Sequence, residues 1–416
     1  MKKFLALAIA LVMIFAIAAC GEPDTGSGSD PGAGSGSEAG TGSGEDPGTG
    51  GDTDTGTGGV TSDNIKIGVV HIGPLADQGY TYNHHIGALK MIENLGLREN
   101  QYIPKFAVGT EAADVTAAIN ELIQEGCHII FATSFSHQFQ MIEAARENPD
   151  IVFCHATGAN AHGSGLNNYH NYFAKIHEAR YLGGIAAGLA TETNKLGYVA
   201  AHPFAEVISG YTAFFLGALS VNPNVTMDVI YINAWGDPPL EQQVATRLIE
   251  LGADVIAQHS DSATPALAAE EGGVFHVGYN NDMREAAPNA SLLSPRIDWS
   301  IYMTFAVQSV LNGTQIPVDW GEGLAAGAAF ITELNDAIIA PGTREAIAEA
   351  RDEIIAGTRQ IFSGHLLDND GNNAVITNFD GDTIFEFTGP DSIFHESTTT
   401  SAPSFNAIIA GVNIIS

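Results

Sequence analysis

Residues 65–96 read IKIGVVHIGPLADQGYTYNHHIGALKMIENLG. The first eight residues are a short, mostly apolar run, which predicts a buried strand. A loop containing Gly and Pro follows, and the amphipathic stretch after it, which ends at Gly96, predicts a helix. The same order of strand, loop and helix recurs along the chain to about residue 280. Such alternation is typical of parallel sheets covered by helices on both faces.

The predicted elements fall into two series of the same kind. The first series occupies residues 64–190 and the second occupies residues 191–290. Residues 291–365 are interpreted as a crossover segment that returns to the first lobe, and residues 366–416 form a tail of unknown role. A chain of this length exceeds the size at which one hydrophobic core keeps growing. We therefore expect two doubly wound α/β lobes joined by a hinge, with a cleft between them.

The start of the chain, MKKFLALAIALVMIFAIAAC, is basic, then apolar, and ends in small residues. It predicts a signal peptide over residues 1–19, and Ile17 to Cys20 resemble a bacterial lipobox, in which the cysteine is lipid-modified. A transmembrane anchor is the alternative, but the apolar run is shorter than the roughly 20 residues of a span. Residues 20–63, rich in Gly, Ser, Thr and Asp, then form a flexible linker. We expect an extracytoplasmic protein anchored to the cell membrane by lipidated Cys20.

The net charge argues against a nucleic-acid partner, and the positions of the cysteines argue against a disulfide. The chain has 16 Lys and Arg against 48 Asp and Glu, a net charge of −32. Nucleic acids require a basic face, so no nucleic-acid partner is expected. Cys127 and Cys154 stand at opposite ends of two successive predicted strands, so we expect buried free thiols and not a disulfide.

Aromatic and acidic residues recur in the loops that follow predicted strands. The aromatic residues are Tyr80, Phe135, Phe204, Trp235 and Tyr279, and the acidic ones are Asp77, Glu206, Asp237, Asp261 and Asp282. In open parallel sheets, ligands bind beyond the carboxyl ends of the strands. Aromatic faces stack on flat heterocycles and carboxylates accept hydrogen bonds from N–H groups. Helix capping and hinge packing are the alternative for each residue singly, but the recurrence favours a cleft for a small polar aromatic ligand.

The sequence predicts neither a metal site nor a catalytic site. The adjacent His84 and His85 point to different faces of the predicted helix, and the histidines lack zinc-site spacing. The stretch DNDGN at 368–372 resembles a calcium loop, but its Gly comes too early. Motifs of serine hydrolases, phosphate loops and dinucleotide sites do not occur. Since Asp77, His84 and Asp261 could form acid and base pairs, an enzyme is the alternative class; we expect no catalytic residue, no cofactor and no metal.

Seven motifs occur in a fixed order along residues 64–365: GPLADQGYTYNHHIGALKMIE, IIFATSF, FCHATG, KLGYVAAHPFAEVISGYTAFFLGALSVNP, NAWGDP, GADVIAQHSDSATP and VGYNNDM. Together they are similar to the basic membrane protein family of substrate-binding lipoproteins. The resemblance implies a type I periplasmic-binding-protein fold. It also implies that the protein binds a purine base or nucleoside by domain closure, with an adenine-like ligand favoured, and delivers it to ABC permease and ATPase subunits. A nucleoside-processing hydrolase and a receptor for a sensor system without transport stay open as alternatives.

Carried onto this sequence, the family motifs place the ligand-binding residues at Asp77, Tyr80, Ser134, Phe135, Glu206, Trp235, Asp261, Asn280 and Asp282. The chain departs from the family pattern at two of these positions. Tyr80 stands where the most similar branch has Trp. Asn280 replaces the first acid of a D-x-D loop, which in nucleoside receptors is associated with sugar hydroxyls. The second change favours a free base, or an altered sugar contact, over a typical nucleoside.

Overall fold

The computed structural model describes residues 59–416. The predicted signal peptide (1–19), Cys20 and the linker (20–63) up to residue 58 therefore lie outside the described residues. The strands are β1 (Ile67–Val70), β2 (Tyr102–Lys105), β3 (Ile129–Ala132), β4 (Val152–Ala156), β5 (Tyr169–Tyr172), β6 (Lys195–Ala200), β7 (Thr226–Tyr231), β8 (Val255–His259), β9 (Phe275–Val277), β10 (Ser291–Leu293), β11 (Pro295–Ile297), β12 (Asp319–Trp320), β13 (Ala329–Ile331), β14 (Val375–Thr377), β15 (Thr383–Glu386) and β16 (Val412–Ile414). The helices are α1 (Tyr80–Asn94), α2 (Ala112–Gln124), α3 (Gln138–Glu147), α4 (Ala161–Ser164), α5 (Ile176–Ala190), α6 (Ala205–Val221), α7 (Pro238–Glu250), α8 (Thr264–Gly272), α9 (Trp299–Asn312) and α10 (Thr343–Ile355).

Two six-stranded sheets define two lobes. The strand order is β12-β5-β4-β3-β1-β2 in the first sheet and β10-β9-β8-β6-β7-β16 in the second. Neighbouring strands are parallel throughout both sheets. Helices α1 and α9 cover one face of the first sheet and α2 and α3 the other, while α5 and α6 lie opposite α7 and α8 on the second. The predicted pair of doubly wound α/β lobes is confirmed.

The first sheet shows why its strands are apolar at successive positions. In β3, Ile129 and Phe131 pack with α1 and α9, whereas Ile130 and Ala132 pack with α2 and α3. Side chains alternate across a strand, so a sheet that is covered on both faces needs apolar residues at every position. This is the physical basis of the short apolar runs in the sequence.

Helix α5 belongs by its packing to the second lobe, although the sequence analysis placed residues 64–190 in the first. Its Leu182 and Ile185 share a core with Tyr211 and Phe214 of α6. Thirteen of its fifteen residues are buried. Because the helix is apolar on most faces, its sequence presents no single apolar stripe that identifies the sheet it covers.

The chain after β10 returns to the first lobe and then leaves it again. Helix α9 packs beside α1, and β12 pairs with β5 at the edge of the first sheet. Helix α10 and the tail then pack on the second lobe, where Phe362 and Phe405 stack at 4.3 Å between ring centroids. Finally, β16 pairs with β7 and covers the edge of the second sheet.

Two further sequence features lie within the described part of the chain. Cys127 and Cys154 are buried free thiols. Cys154 lies in β4, and Cys127 precedes β3, the parallel neighbour of β4. Among residues 59–416, every helix is too short or too polar to cross a bilayer.

Candidate functional site

A narrow cavity lies between the lobes, at the carboxyl ends of strands from both sheets. It is lined by Ile72, Tyr80, Thr133, Ser134, Phe135, Thr157, Glu206, Trp235, His259, Asp261 and Tyr279. All of these residues end a strand or follow one in the chain, so both sheets aim their loops at one space. We call this space the interlobe cavity.

Tyr80, the first residue of α1, forms part of the first-lobe wall of the interlobe cavity. Its hydroxyl donates a 2.5 Å hydrogen bond to the carbonyl oxygen of Thr133, which follows β3. Its ring meets His84 at 4.5 Å and Trp299 at 6.0 Å, both edge to face. Burial raises the pKa of the Tyr80 hydroxyl well above its usual value, so the group is a neutral donor. The tyrosine ring is therefore fixed from behind before any ligand contacts its front.

Aromatic rings from both lobes lie beside the interlobe cavity. Phe135 of the first lobe meets Phe204 of the second at 5.6 Å. Phe204 stacks on His202 at 4.9 Å, and His202 contacts Trp235 at 5.0 Å. Phe204 is 41% exposed, whereas Phe135 and Trp235 line the cavity. This aromatic cluster offers flat apolar surfaces to a planar ligand and covers one side of the cavity from water.

Glu206 and His259 form a buried polar wall in the second lobe. Glu206 is near the start of α6, and His259 ends β8; His259 Nε2 lies 3.6 Å from Glu206 Oε1. Burial raises the pKa of Glu206 to about 8, an effect that the nearby Arg180 guanidinium opposes. Burial, and then Arg180, hold the pKa of His259 well below its usual range. At neutral pH and without a ligand, the wall thus contains a neutral imidazole and a mostly protonated carboxyl group.

Asp261 is the second acid of the interlobe cavity. Its backbone N–H donates a 2.9 Å hydrogen bond to the carbonyl oxygen of Trp235, which ties the loops after β7 and β8 together. The side chain retains accessible surface because it faces the cavity. Its pKa is raised well above the usual value, first by burial and then by the carboxylates of Asp77, Glu241 and Glu206. A ligand that donates a hydrogen bond here would relieve this repulsion.

The two lobes touch at Gly79, the residue before α1. A Cβ atom at Gly79 would lie 1.8 Å from the carbonyl oxygen of Asp261 in the opposite lobe. Real Cβ atoms do not approach an oxygen so closely, so a residue without a side chain is required there. The contact holds the cleft in a closed arrangement.

Six of the nine predicted ligand-binding residues surround the interlobe cavity: Tyr80, Ser134, Phe135, Glu206, Trp235 and Asp261. Asp77 is behind it and caps α1, because its carboxylate accepts hydrogen bonds from the N–H groups of Gly79, Thr81 and Tyr82. This is the capping alternative that the sequence left open for Asp77.

Asn280 and Asp282 are not among the lining residues. Asn280 is buried with φ 64°, and its carbonyl oxygen accepts a 2.7 Å bond from Arg296 Nε. Asp282 lines a separate open groove and forms a 2.5 Å ion pair with Arg284. The backbone turns sharply at Asn280, and this turn directs Asp282 away from the interlobe cavity.

Sequence reasoning did not select five of the lining residues: Ile72, Thr133, Thr157, His259 and Tyr279. Each ends a strand or stands within two residues of its end. Position relative to the strand end was therefore the signal that could have identified them. Tyr279 was noted as a loop aromatic but was not selected.

The histidines do not converge on an ion. Within residues 59–416, no group of three or more His, Cys, Asp or Glu side chains is placed to hold a metal. His84, which the sequence placed one turn from Tyr80, stacks on Trp299 at 3.8 Å and is behind the cavity wall. Its role in the described structure is packing.

Comparison with known proteins agrees with this arrangement. Residues 64–358 match the family model described as ABC transporter substrate-binding protein PnrA-like. A purine-binding protein of Brucella abortus is 32% identical over 314 residues, which is 74% of this chain and 86% of that protein. A candidate ABC transporter glucose-binding protein of Haloferax volcanii is 33% identical over 305 residues, or 73% of this chain and 74% of that one.

A solved structure shows the same fold. An ABC transporter solute-binding protein of Aeropyrum pernix superposes with a TM-score of 0.60 at 17% identity, over 71% of this chain and 92% of that chain. The family resemblance of the sequence motifs is thus confirmed. Substrate-binding proteins of ABC importers bind small molecules outside the cytoplasm and work with permease and ATPase subunits. This chain belongs to the family of PnrA-like ABC transporter substrate-binding proteins.

Proposed function

We propose that the protein binds a purine, with a free adenine-like base favoured, in the interlobe cavity and presents it to an ABC permease. One observation carries the proposal: six residues that the family motifs assign to ligand binding line a single cavity between the lobes. The Brucella abortus relative is a purine-binding protein, which supports the ligand class. Ligand binding would favour the closed arrangement of the lobes, and no bond is made or broken.

The chemistry of the walls supports a flat ligand rich in N–H donors. The rings of Tyr80, Phe135 and Trp235 supply stacking surfaces, and the carboxyl groups of Glu206 and Asp261 supply acceptors. An adenine-like base presents a ring N–H and an exocyclic amine to such acceptors. A ligand with acidic groups would find no Lys or Arg side chain among the lining residues.

The residues that line the cavity support a free base over a nucleoside. The position that holds a sugar-associated acid in nucleoside receptors is Asn280 here, and its side chain is not among the lining residues.

Calorimetry and thermal unfolding with adenine, guanine, hypoxanthine, adenosine and glucose test the proposal. We expect adenine to bind most tightly and to raise the melting temperature, and adenosine to bind more weakly. Glucose is the necessary comparison because a relative of similar identity is described as glucose-binding. If glucose binds and the purines do not, the purine assignment is wrong although the fold and family stand.

The same samples separate binding from catalysis. Adenosine incubated with the protein should be recovered intact by liquid chromatography. The release of adenine from adenosine, at a rate that scales with protein concentration, would show the nucleoside-processing hydrolase that the sequence left as an alternative.

We further propose that Cys20 is lipid-modified and anchors the protein to the outer face of the cell membrane. The lipobox-like sequence before Cys20 supports this. Two acyl chains are sufficient for stable membrane attachment. Cys20→Ser should release the protein from the membrane fraction without changing its ligand affinity. Unchanged membrane association would contradict the lipid anchor.

A further inference from the structure

A buried arginine is directly behind the second-lobe wall of the interlobe cavity. Arg180 of α5 is only 2% exposed. Its guanidinium carbon is 3.9 Å from the centre of the Tyr279 ring, and Tyr279 also lines the cavity. Its Nη1 donates to Tyr198 Oη at 2.6 Å and to the Gln258 carbonyl oxygen at 3.0 Å. The guanidinium is therefore fixed in position by a ring and two hydrogen bonds.

Two donors of this guanidinium remain unused. Nε and Nη2 of Arg180 have no hydrogen-bond partner among residues 59–416. A buried cation without a directly paired carboxylate is costly for stability, because it has lost its hydration. Such a group is retained where its charge serves the site, and the carboxyl group on which it acts is that of Glu206.

Helix α6 is shaped to bring Glu206 close to this charge. Gly210 is four residues after Glu206, so both are on the same face of the helix. A Cβ atom at Gly210 would lie 2.9 Å from Arg180 Nε and 3.0 Å from His259 Nδ1. Glycine at this position is what lets α6 approach the arginine and the histidine together.

We infer that Arg180 is a positioning residue of the ligand site, which fixes the Tyr279 ring as a wall and supplies the positive charge that stabilises a negative Glu206 when Glu206 accepts a hydrogen bond from the ligand. The inference rests on the proposed function, because it assumes a ligand that donates a hydrogen bond to Glu206. Arg180 itself does not line the cavity and is not expected to touch the ligand.

The other titratable groups around Glu206 do not supply this charge. His259 is held neutral by burial. Asp261 is acidic and raises the cost of a second negative charge. The phenols of Tyr80 and Tyr279 stay protonated because burial raises the pKa of each. Arg180 is the cation that opposes the burial of Glu206 in the described structure.

The test compares Arg180→Gln, which keeps hydrogen-bond donors but loses the charge, with Arg180→Lys, which keeps the charge. The titration of Glu206 is followed in ligand-free protein by the infrared band of its protonated carboxyl group, assigned with Glu206→Gln. We expect the midpoint to rise by at least about one pH unit in Arg180→Gln and to stay near the wild-type value in Arg180→Lys.

Adenine affinity is then measured by calorimetry between pH 6 and pH 9. Affinity of the wild type should rise with pH as Glu206 ionises. Arg180→Gln should bind about ten-fold more weakly at pH 7, because one unit of pKa is a factor of ten, and should recover at higher pH. Glu206→Gln should bind weakly with a flat profile. Arg359→Met is the matched control, since Arg359 also lies over a tyrosine, Tyr181, but has its own carboxylate, Glu353.

An unchanged Glu206 midpoint in Arg180→Gln would overturn the inference. So would a loss of affinity that is equal at every pH, because that result indicates packing alone. If Arg180→Gln does not fold, the pH profiles of adenine affinity for wild type, Arg180→Lys and Glu206→Gln still test the inference. A wild-type affinity that does not change with pH would also overturn the inference. If no purine binds but the midpoint shifts, the ligand proposal fails while the effect of Arg180 on Glu206 stands.

Discussion

The hydroxyl of Tyr80 donates a hydrogen bond to the carbonyl oxygen of Thr133, so the start of α1 is fixed to the end of β3. The face of the Tyr80 ring is thereby held toward the interlobe cavity. Tyr80→Ala should weaken adenine binding by about 1–3 kcal/mol, the range for a base stacked on an aromatic ring. Tyr80→Phe is the control, because it keeps the ring and loses only the hydroxyl. Calorimetry decides, and equal losses in both variants would mean that the hydrogen bond, not stacking, supports the site.

Asp261 and Asp282 are both predicted ligand-binding residues, but substituting them should affect adenine affinity differently. Asp261 lines the interlobe cavity, whereas Asp282 is paired with Arg284 in an open groove. Asp261→Asn should lower adenine affinity about ten-fold or more, because an amide cannot ionise when the ligand donates a hydrogen bond to it and is the weaker acceptor. Asp282→Asn should leave the dissociation constant within about two-fold, since exposed ion pairs contribute little. If Asp282→Asn has the larger effect, the groove and not the cavity holds the ligand.

Asp77 should affect stability more than binding. Its carboxylate accepts three backbone N–H groups at the start of α1. Asp77→Ala should lower the free energy of unfolding by about 0.5–2 kcal/mol, the usual cost of a lost helix cap. Asp77→Asn keeps one acceptor and should cost less. Urea unfolding measures the change, and a large loss of affinity without a loss of stability would instead assign Asp77 to the ligand.

The tail contributes a buried carboxylate whose removal should destabilise the protein. Glu396 is 5% exposed and accepts hydrogen bonds from Ser209 of α6 and from the backbone N–H groups of Ser404 and Phe405. Glu396→Ala leaves these donors unpaired and should lower the free energy of unfolding by about 3 kcal/mol or more. Glu396→Gln, which keeps one acceptor, should lose less. A stability equal to wild type in Glu396→Ala would show that the tail does not support the second lobe.

Buried histidines predict a loss of stability in acid. Burial lowers the pKa of His155, His177 and His276 to about 3. In the unfolded chain these groups titrate near 6.5, so the unfolded state binds more protons below that pH. The free energy of unfolding should therefore fall as pH drops from 6.5 toward 3, by up to about 1.4 kcal/mol per pH unit for each histidine.

Urea unfolding at pH 7 and pH 5 measures this loss. His177→Gln should reduce the difference between the two pH values, because an amide does not titrate. The exposed His365 provides the control, and His365→Gln should leave the difference unchanged. Equal behaviour of the two variants would contradict the assignment of acid sensitivity to buried imidazoles.

Local patterns identified the two sheets because apolar runs reflect burial on both faces of each strand. They missed β5, whose His170 and Asn171 made it look like a polar loop. In the structure both side chains are buried and satisfied: His170 bonds to the Pro317 carbonyl oxygen, and Asn171 to the backbone N–H of Ala161. Polar strands of this kind depend on partners far along the chain, which a local pattern does not contain.

The residues of the candidate site, like the strands, could be predicted from the sequence only in part. Residues in the loops or helix starts that follow strands, such as Glu206 and Asp261, could be selected as candidates because topology places these positions at one edge. Asn280 and Asp282 also follow a strand, β9, but the backbone at Asn280 has a positive φ. Neither residue lines the interlobe cavity. Arg180 was missed because it is in the middle of a helix and acts from behind the wall. The tail had no recognisable pattern because its aromatic residues pack on α5 and α6 and not on each other alone.

The lobes approach each other at Gly79 and Asp261 so closely that only glycine fits between them. In Gly79→Ala, the added methyl group would collide with the carbonyl oxygen of Asp261. We expect the open form to dominate the unliganded population of this variant. Apparent affinity equals intrinsic affinity multiplied by the closed fraction. We therefore expect position 79, which is not among the residues that line the cavity, to influence how strongly a permease distinguishes a loaded receptor from an empty one.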